Sequence, residues 1–426
     1  MIIITSPPAA FKGQLTMPGD KSITHRAVIF GALANGVTEV NGFLDADDCQ
    51  STLDCLQSLG VVYTVRCGSL VIQGRGMDLK QPRTVLDAGN SGTTARLLLG
   101  VLAGQSFSVT ITGDESLQKR PMKRVVEPLR LMGAVVEGEG SRLPLTIRGG
   151  KLKALSYRSP QASAQVKSAI LLAGLYADGI TSVEEPYTSR NHTELMLAQF
   201  GANIQVTGNK VSVGGGSRLE GTQVWVPGDI SSAAFFMVAA AIIPGSQVLL
   251  QNVGINPTRS GIIDLLREMG ADIELREQRF WGQEPVADIL VRGGAPLKAI
   301  SVRGEQIPRV IDEIPVLAVA AAVAAGTTII SDAAELRVKE ADRITALTGQ
   351  LTRLGVKITE TEDGMFVEGG SELTGAEVES CGDHRIAMAL AVAGLVAQGK
   401  TTIRDAEVVG ISFPGFMAAL HSLIPK

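Results

Sequence analysis

The chain is poor in several residue types that would narrow its class. Its 426 residues include four cysteines, four histidines and two tryptophans, and aromatic residues make up 4%. Cys49, Cys55, Cys67 and Cys381 form no CxxC pair, which argues against a zinc ribbon, a dithiol redox motif or a disulfide scaffold. We read all four as buried, reduced thiols. Charged residues are 19% of the chain and sum to a formal charge of -4, with no basic tract. That balance does not suit a nucleic-acid binder or a disordered chain. No apolar run approaches the ~20 residues of a membrane span. The longest, at 233–243 and 314–325, predict buried helices. The start, "MIIITSPPAAFKG", has neither the basic region nor the small-residue cleavage site of a secretory signal. We therefore expect a cytoplasmic protein that binds neither membrane nor nucleic acid.

Glycine, by contrast, is abundant, with 48 residues, and it marks an internal repeat. One phrase is an amphipathic helix, then Gly, then a β-rich strand: "CLQSLGVVYTV", "PLRLMGAVVEG", "MLAQFGANIQV", "LLREMGADIEL" and "LTRLGVKITE". Gly60, Gly133, Gly201, Gly270 and Gly355 are spaced by 73, 68, 69 and 85 residues, a period near 70. Glycine there fits the left-handed residue that stops a helix. A second phrase alternates with the first: a small-residue helix stops near Gly36, Gly104, Gly179, Gly245, Gly326 or Gly399 and feeds a β-branched strand.

Six such helices predict six α/β units in two similar three-unit domains. "FPGFMAALHSLI" supplies the sixth amphipathic helix, and the strands of that unit are expected from "MIIITS" and "GQLTMP". The expected domains are 20–227, and 1–19 together with 228–426. "MPGDKSITHRA" and "VPGDISSAA" share a Pro-Gly-Asp stem at the two changes of domain, where proline and glycine suit a crossover.

The small-residue helices start at equivalent points: "DKSITHR", "AGNSGTTAR", "SASAQVK", "GDISSAA", "IDEIPV" and "GDHRIAM". Each offers a Ser, Asn or Asp as N-cap. A helix N-terminus presents free N–H groups and about half a positive charge, which suits phosphate or carboxylate. Capping alone explains any single copy. Cations nonetheless recur beside these starts in an acidic chain: Lys21, Arg26, Arg120, Arg337, Lys339, Arg343 and Arg385. That pattern favours an anion site. From the residues alone, Asp312 reads equally as a cap for "EIPVLAV", and Glu340 as an i,i+3 surface partner of Arg343. "GLVAQGKT" (394–401) matches the phosphate-loop pattern but runs helix, Gly399, strand; the motif needs strand before helix. We discount nucleotide binding there.

"PGDKSITHRA", "GNSGTTARLL", "KRPM", "SAQVKSA", "RNHTE", "PGDISSAAF", "IDEIP", "VKEADRI" and "GDHRIAMA" stand in the order found in the 5-enolpyruvylshikimate-3-phosphate synthase family, which the chain resembles over essentially its whole length. The resemblance implies an inside-out α/β barrel in each of two domains that close over the substrates. It also implies transfer of the enolpyruvyl group of phosphoenolpyruvate to the 5-hydroxyl of shikimate 3-phosphate, with release of phosphate. That step belongs to the shikimate pathway, leading to chorismate and the aromatic amino acids. No metal or organic cofactor is implied, and we expect a monomer.

Carried over by motif, the resemblance assigns Lys21, Ser22, Arg26, Ser163, Gln165 and Arg190 to shikimate 3-phosphate. Lys21, Gly92, Arg120, Gln165, Arg343 and Arg385 are assigned to phosphoenolpyruvate. Asp312 and Lys339 are to contact the 5-hydroxyl, with Asp312 as its base. Glu340 is the partner for proton traffic at C3, and His384 orients or shares it. His25 and His192 are expected to support the fold, and His421 to lie at the surface or in packing. Gly92 implies room for glyphosate in the phosphoenolpyruvate pocket. The chain departs from some relatives at Glu407, where they carry lysine, and at Ala164, where they carry a second serine. A sister family acts on UDP-N-acetylglucosamine and typically has Lys-Asn in place of Lys21-Ser22, often with a reactive cysteine that "GDESLQKRP" lacks. A binding protein without catalysis is the other alternative, which retention of Lys21, Asp312, Glu340 and the arginines opposes.

Overall fold

A computed structural model describes residues 1–4 and 8–425; part of the "MIIITS" segment, Thr5 and Ser6, thus lies outside the described residues, as do Pro7 and Lys426. By contact the chain separates into two compact units. One comprises Met1–Pro18, Pro227–Arg279 and Pro285–Lys426; the other comprises Gly19–Val226 with Phe280–Glu284. We call them the split unit and the central unit. The five residues Phe280–Glu284 form the tip of a long hairpin, strands Asp272–Trp281 and Glu284–Arg292, and they group with the central unit.

The six small-residue helices are α1 (Lys21–Leu33), α2 (Gly92–Ala103), α3 (Ala164–Gly174), α4 (Ile230–Ile242), α5 (Ile314–Val323) and α6 (His384–Gly394). They are apolar nearly all round and buried nearly end to end, as a helix without a polar face must be. Small residues let them pack closely: a Cβ on Gly100 in α2 would lie 2.2 Å from the carbonyl oxygen of Ala169 in α3. Each unit has its own core, the central one built on α1 to α3 and the split one on α4 to α6.

The sheets repeat one pattern. A strand enters parallel to the strand that follows the inner helix, and that strand pairs antiparallel with the second strand of a hairpin. Among the described residues five four-stranded sheets follow this order. In the first, Gln223–Trp225 pairs parallel with Val37–Asn41, which pairs antiparallel with Ser69–Gln73. The N-terminal strands complete sheets of the split unit. Lys12–Thr16 runs parallel to Gln247–Gly254, and Ile2–Ile4 runs antiparallel to Thr401–Arg404.

Gly60, Gly133, Gly201, Gly270 and Gly355 have φ between 86° and 108°, the left-handed helix stop read from the repeat. Gly104 is different. Its φ is -88°, and glycine is required there because a Cβ would sit 2.1 Å from the Tyr176 ring. "GLVAQGKT" is the end of α6, then Gly399 at φ 91°, then strand Thr401–Arg404, so helix precedes strand. The expectation of four buried thiols holds for Cys49 and Cys55 and fails for Cys67 and Cys381, which are exposed. Both lie at positive φ before a glycine. Cys67 and Gly68 form the two-residue turn joining Val62–Arg66 to Ser69–Gln73, a position set by turn geometry. Among the described residues no helix is long and apolar enough to cross a membrane.

Candidate active site

In each unit, side chains tie together the starts of the three inner helices. In the central unit Asp20 caps α1, accepting from the Ile23 N–H at 2.9 Å. Lys21, at the first turn, pairs with Asp48 at 2.8 Å. Arg26 is 2% exposed and held on three sides: Nε donates to Thr193 at 2.7 Å, Nη1 to the Ser22 carbonyl at 2.9 Å and Nη2 to Ser168 of α3 at 2.9 Å. Arg190 Nη1 reaches the Ser22 hydroxyl at 3.4 Å. Arg190, far away in sequence, thus joins the cluster that Lys21, Ser22 and Arg26 form at the start of α1.

Ser91 caps α2, and Ser163 caps α3. Gln165 bridges these starts, donating to Thr93 at 2.8 Å and accepting from Arg96 Nη1 at 2.7 Å. A Cβ on Gly92 would lie 2.6 Å from that same Arg96 nitrogen and 3.5 Å from Arg120 Nη1. Arg120 donates to the Asn90 side chain at 2.6 Å and to the Asn90 carbonyl at 3.2 Å. Gly92, Arg120 and Gln165 therefore surround one helix start. Arg96 joins them, and the sequence reading missed it; its only sequence signal is its place one turn into "GNSGTTAR". Ala164 opens α3 between Ser163 and Gln165.

His25 is fully buried, with Nδ1 2.7 Å from the Thr52 hydroxyl, and the chain continues through Thr94 to Ser91 at 2.6 and 2.7 Å. Burial, with Lys21 and Arg26 nearby, pushes its pKa down to about 3, so the ring stays neutral. His192 opens helix His192–Gln199 with Nδ1 2.6 Å from Glu284. His421 is exposed.

In the split unit the cluster centres on Asp312. It does not cap α5; Glu313 holds the cap position, and no side-chain cap bond forms there. The Asp312 carboxylate instead lies among cations: Arg343 Nη1 at 3.3 Å, Arg385 Nη2 at 3.6 Å, and Lys339 Nζ and Arg259 Nη1 each at 3.8 Å. Arg343 is 1% exposed; it donates to Glu340 at 2.6 Å and to Asp383 at 2.7 Å. The Glu340–Arg343 pair is therefore no surface i,i+3 pair. These carboxylates raise the Arg343 pKa against the lowering effect of its burial. Burial pushes the Lys339 pKa down, opposed by Asp312, Glu335 and Glu340.

Asp383 caps α6, accepting from the Arg385 N–H at 2.8 Å, and the buried His384 and Arg385 are the first residues of that helix. Arg259 was also missed. It donates to Ser231 at 2.8 Å and Asp229 at 3.2 Å, so the second Pro-Gly-Asp stem supports the Asp312 cluster through it. Ser231 in turn bonds Glu313. Arg337 stands apart on Asp342 and Glu360 at 2.7 and 2.9 Å, and Glu407 is exposed. A carboxylate held among four cations suits proton removal beside an anion, and the helix starts and guanidinium groups around both clusters suit phosphate and carboxylate groups.

The chain matches the family model described as EPSP synthase (3-phosphoshikimate 1-carboxyvinyltransferase) over residues 5–420. It is 54% identical over 413 residues to the 3-phosphoshikimate 1-carboxyvinyltransferase of Thermoanaerobacter sp. (strain X514), covering 97% of each chain. It is 52% identical over 428 residues to that of Desulforamulus reducens, covering 100% of each. The solved EPSP synthase from Acinetobacter baumannii superposes with a TM-score of 0.87 at 49% identity, over 99% of this chain and 97% of that one.

Proposed function

The chain belongs to the EPSP synthase family, and from that premise we propose how its residues divide the reaction. The enzyme transfers the enolpyruvyl group of phosphoenolpyruvate to shikimate 3-phosphate in the shikimate pathway, a step of aromatic amino-acid biosynthesis. The 5-hydroxyl oxygen adds to C2 of phosphoenolpyruvate while C3 gains a proton. The tetrahedral adduct then loses phosphate and a C3 proton, restoring the carbon–carbon double bond. Every intermediate is strongly anionic, so cations and proton carriers account for the catalytic groups.

In this reading Asp312 takes the proton of the 5-hydroxyl. The single observation that carries the role is its environment: a carboxylate freed from capping and set among Lys339, Arg343, Arg385 and Arg259. In that setting the carboxylate stands beside cations suited to the anionic groups of both substrates. Glu340, beside Arg343, enters protonated, gives that proton to C3 on addition and regains one from C3 on elimination, while the proton taken by Asp312 leaves with the phosphate; His384 orients the exchange at C3. Ser22, Arg26, Ser163, Gln165 and Arg190 bind shikimate 3-phosphate, with Lys339 and Asp312 at its 5-hydroxyl. Lys21 serves both substrates. Gly92, Arg120, Gln165, Arg343 and Arg385 bind the phosphate and carboxylate of phosphoenolpyruvate. We further propose that the enzyme acts as a cytoplasmic monomer.

Phosphate release tests this reading. It should require both phosphoenolpyruvate and shikimate 3-phosphate. Turnover of UDP-N-acetylglucosamine in place of shikimate 3-phosphate would overturn it.

A further inference from the structure

Glu185 lies directly after strand Ile180–Glu184, outside every motif named above. It is 2% exposed, yet its carboxylate organises two loops. Oε1 accepts the backbone N–H of Ser163 at 2.8 Å. Oε2 accepts the Ser189 hydroxyl at 2.7 Å and the Ser189 N–H at 3.3 Å. Its main chain is fastened as well, donating to the Asn209 carbonyl at 3.1 Å and accepting from the Asn209 side chain.

Its counter-charge lies inside the protein and is shared with Glu194. Lys167, 1% exposed and one turn into α3 from Ser163, lies 2.9 Å from Glu185 Oε2 and 2.7 Å from Glu194 Oε1. It also donates to the Ser189 carbonyl at 3.4 Å. Buried charges persist when paired and hydrogen-bonded, and removing one partner is costly. A neutral amide could not replace this carboxylate. Glutamine keeps one acceptor for Ser163, but its NH2 would face the Ser189 donors and the Lys167 ammonium.

Ser163 is the cap of α3, and Ser189 is the residue before Arg190, whose guanidinium reaches Ser22. One carboxylate thus sets the position of two assigned ligands of shikimate 3-phosphate from behind. We propose that Glu185, compensated by Lys167, is a positioning residue for the shikimate 3-phosphate site; this rests on the residue assignments under Proposed function. A displacement of about 1 Å in such a site is enough to cost a large factor in binding or rate.

The test is steady-state kinetics on Glu185→Gln, Ser189→Ala and Arg190→Ala, with the double variant Glu185→Gln/Arg190→Ala, each checked for folding by thermal unfolding. Glu185→Gln should raise the KM for shikimate 3-phosphate roughly tenfold, and Ser189→Ala a smaller amount, while the KM for phosphoenolpyruvate and kcat change less than about threefold. In the Arg190→Ala background, Glu185→Gln should add far less than it does alone, as for residues that act through one another. Ser189→Ala removes only one hydroxyl and keeps the proposal open to refutation if Glu185→Gln does not fold. If Arg190→Ala raises that KM while Ser189→Ala and a folded Glu185→Gln leave it within about twofold, the positioning role is wrong. If Arg190→Ala itself leaves it unchanged, the assignment of the shikimate 3-phosphate site fails, and the proposal with it.

Discussion

Asp383 holds two arginines at once: Oδ2 accepts from Arg343 Nε at 2.7 Å, and Oδ1 accepts the backbone N–H of Arg385 at 2.8 Å. The carboxylate is wholly buried. It is both the cap of α6 and the counter-charge of the most buried guanidinium in the Asp312 cluster. Asp383→Ala should therefore cost about 3–5 kcal/mol, the usual penalty for stranding one half of a buried pair. Asp383→Asn, which keeps a cap acceptor, should cost less. Urea unfolding of the two variants measures the difference. Equal and small losses would show that Asp383 does not carry Arg343.

Asp312→Ala should lower kcat by about 10²–10⁴, the range for losing a general base. Its KM values should change little, because Lys339, Arg343, Arg385 and Arg259, which surround it, remain. Activity within a few-fold of the parent would remove Asp312 from the role of base.

Gly92→Ala places a methyl group 2.6 Å from Arg96 Nη1. The atom displaced is the tip of a flexible side chain, so the variant should fold. Moving Arg96 disturbs its bond to Gln165. The KM for phosphoenolpyruvate should rise roughly tenfold, about 1.4 kcal/mol. The parent should be inhibited by glyphosate and the variant less so. Unchanged inhibition constants would contradict this.

His25 gives a stability prediction with a definite sign. Burial pushes its pKa down to about 3 in the fold, against 6.5 for a free imidazole, so between those values the unfolded chain binds more protons. Stability from this group is undiminished above pH 6.5 and is lost as pH falls through the window, at about 1.4 kcal/mol per unit. Between pH 7 and 5 the parent should lose about 2 kcal/mol more than His25→Gln. Urea midpoints at the two pH values test it, and parallel losses would refute it.

Burial lowers the pKa of Lys339 below the ordinary lysine value. If its charge is required, activity should fall on the alkaline side before free lysine titrates. Lys339→Arg keeps the charge at every accessible pH, so the alkaline limb of kcat/KM should move upward. A limb that stays in place belongs to another group.

Much of the fold was legible because its signals are local. Glycine stops a helix through its own φ, and Asp20, Ser91, Ser163, Asp229 and Asp383 cap helices within three residues of themselves. The repeat therefore located all six inner helices and their starts. Asp312 shows the limit of such reasoning. From its neighbours it reads equally as a cap; in the fold Glu313 takes that position, and Asp312 meets Lys339, Arg343 and Arg385.

Arg96, Arg259 and Glu185 were invisible for the same reason. Each bonds groups from other segments of its unit, and nothing beside them in sequence announces those partners. The second Pro-Gly-Asp stem, read as helix start and core, also supports Arg259 through Asp229 and Ser231. The sequence by itself determined the repeat, the helix starts and the types of charge beside them, because turns, caps and periodic burial depend on residues a few positions apart. Tertiary structure alone decided which charges meet and which carboxylate is freed from capping, because electrostatic pairing depends on distance in space, and buried charges take whatever partners the packing brings within reach.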